Sequence, residues 1–252
     1  MTNMSETHKA HKNGYIADQR DFFDSLITKD WDTYINSEWD RARQLEVSSI
    51  LDLIPSPAAV LDMGCGCGYH DLTLAQHDGI VKIVGIDNSP KSIETANKEY
   101  PHSKIERAVA DIFDNKDIIN RFGQFDLVSS FQVIEHLNEP AAFIDSCASC
   151  ALSGGFVSIV TPNVLCLRNR IRRFRGLPLQ LVDPLHFMEY SISQLEELGH
   201  QAGLSCIGSF AHMINLAPLD FCRSKGIKII DQFVNKLLPG LVNVIGIVFI
   251  KP

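Results

Sequence analysis

One stretch constrains the chain more than any other: Ala59-Val60-Leu61-Asp62-Met63-Gly64-Cys65-Gly66-Cys67-Gly68. An apolar run ends on an acid, three glycines follow at alternate positions, and a helical pattern begins with Leu72, Leu74 and Ala75. Strand, glycine loop, helix is the opening unit of a nucleotide-binding α/β domain. Glycine suits such a loop because the chain turns tightly there and a Cβ would keep the backbone away from a ligand.

The loop also narrows the ligand. A dinucleotide fingerprint has its third glycine one place later, where this chain has Tyr69. Asp62 ends the strand beside the loop, and a fixed carboxylate is a poor neighbour for a pyrophosphate but a good one for a cation. S-adenosylmethionine carries a sulfonium and an ammonium and no phosphate.

The rest of the chain alternates regularly. Strands are predicted at Val60–Met63, Ile80–Ile86, Ile105–Ala110, Phe125–Ser130 and Phe156–Thr161. Helices are predicted between them at Tyr69–His77, Pro90–Tyr100, Lys116–Phe122 and Pro140–Leu152. That spacing implies a parallel sheet with helices on both faces, and ligands in such sheets bind at the carboxyl ends of the strands. Asp87, closing the second strand 19 positions after Gly68, can accept two hydrogen bonds from a ribose diol. Asp111, after the third, can accept from an adenine amino group. A lone aspartate at such a place reads equally well as a helix N-cap, but three at successive strand ends form a set.

Before the loop, Tyr15–Ile54 has a helical pattern rich in aromatics, ended by Pro55 and Pro57 and preceded by a polar tail. It reads as a packed cap over the ligand, from which Arg41 or Arg43 reaches a ligand carboxylate. After the fifth strand, Leu165–Leu177 carries five arginines in eight residues, Arg168, Arg170, Arg172, Arg173 and Arg175. As a helix it puts Leu167, Ile171 and Phe174 on one face and Arg168, Arg172 and Arg175 on the next. Either the apolar stripe packs on the core, or the segment is a lid or docking helix that meets an anionic substrate or a lipid surface. A second amphipathic stretch runs through Ile227, Ile230, Val234, Leu237 and Leu238.

The motifs, taken in order, resemble those of the class I S-adenosylmethionine-dependent methyltransferases. They are Leu61-Asp62-Met63-Gly64-Cys65-Gly66-Cys67-Gly68, Gly85-Ile86-Asp87, Ala110-Asp111-Ile112, Phe125-Asp126-Leu127-Val128 with Val133-Ile134-Glu135-His136-Leu137, and Ser153-Gly154-Gly155-Phe156 through Thr161-Pro162-Asn163. Within that family the style is similar to the ubiquinone-pathway and the saccharide and natural-product O-methyltransferases. The resemblance implies a Rossmann-like α/β fold with a seven-stranded, mostly parallel sheet whose last strand is antiparallel. Here it would comprise a tail (1–13), a helical cap (15–54), a cofactor-binding core (55–163), an inserted lid (164–190) and a last helix with two C-terminal strands (191–252).

For the site, the resemblance implies S-adenosyl-L-methionine as donor and S-adenosyl-L-homocysteine as product. Gly64 with Asp62, Cys65, Gly66 and Gly68 would meet the methionine part, Asp87 and Asn88 the ribose, and Asp111 and Ile112 the adenine. Phe131 would pack near the adenosine and Arg43 would take the carboxylate. Next to the methyl lie Glu135 and His136, with His186 arriving from Asp183-Pro184-Leu185-His186-Phe187. His136, which titrates near neutrality, is the expected base for a hydroxyl acceptor, although Glu135 and His136 also read as a structural pair at a helix start. Gln132, Glu135, His136 and His186 are also similar to the divalent-metal set of the small-RNA 2′-O-methyltransferases. Gln132 stands here where that set has a glutamate, which weakens a site for a hard cation, so no metal is the first expectation.

Composition bounds the partners. A net charge of −7 argues against a broad electropositive surface for duplex nucleic acid. The expected partner is a small molecule, anionic or lipid-like. No run of about 18 apolar residues appears, so peripheral membrane contact is open but no spanning helix is expected. Seven scattered cysteines and an N-terminus without a secretory apolar core imply reduced thiols and a cytoplasmic location. A dinucleotide oxidoreductase, an RNA 2′-O-methyltransferase and a non-catalytic adenosine-ligand binder remain as rivals.

Overall fold

The structure, a computed structural model, describes residues 37–183, 185–212 and 242–252. The tail, most of the cap and the 227–238 stretch lie outside the described residues. The elements are α1 (Ser37–Leu51), β1 (Ala59–Met63), α2 (Tyr69–Ala75), β2 (Lys82–Asp87), α3 (Pro90–Glu99), β3 (Ile105–Val109), α4 (Asn115–Phe122), β4 (Phe125–Phe131), α5 (Pro140–Cys150), β5 (Ala151–Pro162), α6 (Leu167–Phe174), α7 (Ile192–Gln201), β6 (Ser205–His212) and β7 (Val244–Ile250). They form one seven-stranded sheet in the order β3-β2-β1-β4-β5-β7-β6. β1 to β5 pair in parallel, and β7 runs antiparallel to both β5 and β6.

Burial follows position in the sheet. The central strands β1, β2 and β4 are buried along most of their length because helices cover both faces, whereas the edge strands β3 and β6 mix sheltered and exposed residues. On one face Val47, Ile50 and Ile54, in α1 and just after it, join Leu74 of α2 over Val60, Ile83, Leu127 and Val160. On the other, Ile118 of α4, Phe143 and Cys147 of α5 and Leu195 of α7 pack on Leu61, Val84, Val128 and Ile159. Helix starts are fixed locally: Ser89 accepts from the Ser92 amide with Pro90 in the first turn, and Ser191 forms a capping box with Gln194.

Register places a polar row through this core. Arg107 of β3 pairs with Gly85 of β2, Gly85 with Asp62 of β1, Asp62 with Ser129 of β4, and Ser129 with Ser158 of β5. Asp71 descends on the row from α2, and Arg107 Nε donates to its Oδ2 at 2.7 Å. The rest of the guanidinium reaches the carbonyls of Ala96, Tyr100 and Gly68. One side chain thereby ties β3 to the end of α3 and to the glycine loop. Gly85 must lack a side chain, since a Cβ would lie 2.7 Å from Asp71 Oδ2 and 3.0 Å from Cys65 Sγ.

Two buried carboxylates share this one cation. Burial pushes both Asp62 and Asp71 above the usual carboxylate range, and their mutual repulsion pushes Asp62 further. Arg107 opposes the shift more strongly at Asp71, which it touches, than at Asp62. Removing the guanidinium would strand Asp71 as a buried anion. Arg107→Ala is therefore expected to cost about 3–5 kcal/mol of stability, read as a lower urea midpoint. A loss below about 1 kcal/mol would show that the row does not hold the loop.

Candidate active site

The residues expected to meet the cofactor gather at the carboxyl ends of β1, β2 and β4. Gly64, Gly66 and Gly68 all have positive φ, at 81°, 52° and 76°. At Gly64 a Cβ would strike Val133 Cγ2 at 2.5 Å, so this glycine lets the segment after β4 abut the loop. At Gly66 an added Cβ meets nothing within 4 Å, which leaves room for a ligand against the backbone.

The loop's amides are already engaged. Gly64 and Cys65 donate to the Ile86 carbonyl at 2.8 and 2.9 Å, Gly68 donates to the Cys65 carbonyl, and Gly66 donates to Asp87 Oδ2 at 2.9 Å. A phosphate-binding loop instead aims such N–H groups at the anion. Asp87 Oδ1 also accepts from the Ser89 amide. A carboxylate has about four acceptor positions, and Asp87 is only partly buried. Asn88 and Asp111, just past β2 and β3, are exposed, and Ile112 is half-buried. Asp111 Oδ1 accepts from the Phe113 amide.

Three residues expected to contact the ligand have close surroundings within the protein itself. Asp62 lies beneath the loop within the polar row, with its Oδ1 lacking a hydrogen-bond partner among the described residues. Phe131 faces the helices of the α1 side, where His70 stacks on it at 3.9 Å. Arg43 is buried beside the loop, paired with Asp40 and 4.9 Å over the Tyr69 ring, while Arg41 is exposed. Close by, Glu46 of α1 meets His70 at 2.9 Å. The cap helix is thus anchored to the residues that leave the glycine loop.

The second half of the site follows β4. Gln132 is the only non-glycine residue with positive φ among the described residues, at 57°, and its amide is held by the Val160 carbonyl. A non-glycine residue in that region stores strain of the kind that gathers at functional sites. The twist drives Ile134 into the core and turns Ile134–His136 into a single 3-10 turn. Glu135 is buried, and Thr161 Oγ1 donates to its Oε2 at 2.9 Å. Burial raises the Glu135 carboxyl to about 7 despite that bond.

His136 and His186 meet edge to face with ring centres 4.8 Å apart. The segment carrying His186 returns over the strand ends, fixed by the Phe187 amide on the Glu135 carbonyl and by the pairing of Asn163 with Tyr190. Burial and the neighbouring His186 lower His136 to about 4. Burial would lower His186 as well, but the carboxylates of Glu189 and Glu135 more than offset it and raise its pKa. Glu189, fully buried, holds His186 Nδ1 at 3.0 Å and also accepts from the Val182 amide. Tyr190 is pushed up to about 12 by burial and by Glu135, and its hydroxyl has no hydrogen-bond partner among the described residues.

Glu189, Thr161 and Tyr190 were not expected as site residues. For Glu189 the one sequence signal is its place three residues after His186, in a segment without periodicity. Ligand atoms of Glu135, His136 and His186 lie within 4.8 Å of one another, so a cation could bridge them. Their chemistry fits a hard divalent ion poorly, because the single carboxylate is already bonded to Thr161 and holds a proton up to neutral pH. No helix among the described residues is long and apolar enough to cross a membrane.

Known proteins resemble this chain in sequence and in fold. A family model described as a methyltransferase domain matches residues 33–208. A probable S-adenosylmethionine-dependent methyltransferase of Mycolicibacterium smegmatis is 31% identical over 164 residues, 64% of this chain and 58% of that protein. The ubiquinone biosynthesis O-methyltransferase of Bordetella pertussis is 31% identical over 104 residues, 41% of this chain and 42% of its own length. The chain therefore spans about half the length of the curated relatives it matches. Among solved structures, the Haloferax volcanii complex of the Trm112 methyltransferase activator with a putative methyltransferase superposes with a TM-score of 0.63 at 16% identity, covering 91% of this chain and 97% of that one. The N-methyltransferase NodS of Bradyrhizobium japonicum, solved with S-adenosyl-L-homocysteine, gives 0.60 at 17% identity, covering 95% and 99%. At such identities the superpositions speak for the fold, and the family match over most of the chain speaks for its lineage: this chain belongs to the methyltransferase-domain family.

Proposed function

We propose that the chain transfers a methyl group from S-adenosylmethionine to a hydroxyl oxygen of a small molecule. The observation that carries the donor assignment is the glycine loop. The amides of Gly64, Cys65, Gly66 and Gly68 are all engaged within the protein, which suits a ligand with no phosphate to hold. Asp87 would accept from the ribose hydroxyls, and the open face at Gly66 would receive the methionine portion. Asp111 and Ile112 would border the adenine. The bound donor supplies a methyl carbon made electrophilic by the adjacent sulfonium.

The residues after β4 supply the rest. Glu189 fixes the proton on His186 Nδ1 and leaves Nε2 as the basic atom, in the manner of other carboxylate–histidine pairs. His186 would take the acceptor's hydroxyl proton as the oxygen forms its bond to the methyl carbon and the carbon–sulfur bond breaks. In this reading the base expected at His136 becomes His186, because burial weakens His136 as a proton acceptor. His136 would instead wall the pocket against the His186 ring. Oxygen as acceptor is favoured by the histidine–glutamate pair and by the likeness to ubiquinone O-methyltransferases.

Calorimetry with S-adenosylhomocysteine, S-adenosylmethionine and NAD tests the donor: micromolar binding of the first two and none of the third is expected. Preferential NAD binding would end the proposal. Turnover on a panel of hydroxylated acceptors, before and after chelation, tests the rest. Undiminished activity after metal removal is expected, and donor binding without turnover on any acceptor would favour a non-catalytic binder.

A further inference from the structure

Helix α6 is built inside out. Its buried residue is Asn169, whose amide donates to the Val164 carbonyl and accepts from the Gln180 amide. Its apolar stripe faces solvent, with Leu167 at 47%, Ile171 at 45% and Phe174 at 92% exposure. Leu177, Leu179 and Val182, just beyond, are also about half exposed. Six of the thirteen exposed large apolar side chains among the described residues thus fall within 167–182, too concentrated for scattered surface apolar residues.

The same segment carries all five arginines. Arg168, Arg170 and Arg172 donate to the backbone carbonyls of Gln180, Leu165 and Pro178, and no arginine of the five meets a carboxylate among the described residues. Beside the stripe, Val164, Leu165, Phe174 and Leu179 line a cavity of about 390 Å³ together with Arg170 and Arg173.

We infer that α6 and residues 177–182 form a docking surface for an anionic phospholipid bilayer. An apolar stripe bordered by cations is the pattern that rests in a membrane interface, with side chains such as Phe174 entering the acyl boundary and guanidinium groups meeting phosphates. Arginines whose charge no neighbouring carboxylate among the described residues balances complement lipid phosphate. A second copy of the chain fits worse, because a two-fold contact would set this cationic patch against itself. Nucleic acid would leave the stripe exposed to water. Because the whole chain carries −7, attraction acts only within about a Debye length of 8–10 Å. Docking is therefore salt-sensitive.

The test is flotation of the full chain with vesicles of phosphatidylcholine alone and of phosphatidylcholine with an equal part of phosphatidylglycerol. Association with the anionic vesicles is expected to be about tenfold stronger or more and to fall at high salt. Phe174→Glu, and separately Arg173→Glu with Arg175→Glu, should each weaken it by about tenfold while S-adenosylhomocysteine affinity stays the same. Phe174→Trp should show a blue-shifted emission with anionic vesicles only. Wild-type protein that floats with neither vesicle, or variants that float as well as wild type, would overturn the inference. So would vesicle-free self-association abolished by Phe174→Glu, which would assign the stripe to a second copy.

Discussion

Asp87→Ala is expected to weaken S-adenosylhomocysteine binding on the order of 100-fold or more, the value of two hydrogen bonds to a charged acceptor. The loss has two sources in this structure. The ribose would lose its acceptor, and the Gly66 and Ser89 amides would lose the carboxylate that fixes the loop. Asp87→Asn separates them. Its amide keeps one acceptor oxygen but turns a donor toward the second partner, so an intermediate loss is expected, with a melting temperature near that of wild type. Calorimetry on both variants reads this out. Undiminished affinity in Asp87→Ala would remove the ribose from this strand end and with it the proposed orientation of the donor.

His186→Ala should lower kcat by about 10²–10⁴-fold, the usual contribution of a positioned general base, and leave product affinity unchanged. His136→Ala, affecting a wall of the pocket, should act mainly on acceptor KM. If the larger kcat loss falls on His136, the assignment of the base is reversed. Glu189→Gln adds a readout that a purely structural role would not move. A neutral His186 is the active form, so kcat should fall as pH drops through its pKa. The carboxylates of Glu189 and Glu135 hold that pKa above the ordinary histidine value, against the opposing effect of burial. Glutamine at 189 removes one of those charges, so the acid limb of the profile should move to lower pH.

Much of this fold was legible before any coordinates. Parallel strands covered on both faces read as continuous apolar runs, so Val60–Met63 and Phe125–Ser130 were found within a residue of β1 and β4. β5 was expected to begin at Phe156 but starts at Ala151. Its first residues, Leu152, Ser153 and Gly154, are exposed and gave no apolar signal, while the Gly154 amide on the Lys251 carbonyl ties them to the chain end. The helix at 167–174 was expected within Leu165–Leu177, yet its stripe could be read as facing inward or outward. Amphipathicity gives a helix two faces, and only packing decides which is covered.

Glycine spacing and strand-end acids are local patterns, fixed by backbone geometry and pleat, so the sequence by itself determined the sheet, the loop and the position of Asp87. The pairing of Arg107 with Asp71, 36 residues apart, depends on strand order and register. So does the convergence of Glu135 and Thr161 with His186 and Glu189. Burial, not residue type, then raised Asp62 and weakened His136, while the carboxylates of Glu189 and Glu135 raised His186. Those effects arise from water excluded and charges gathered in three dimensions, which no one-dimensional spacing records.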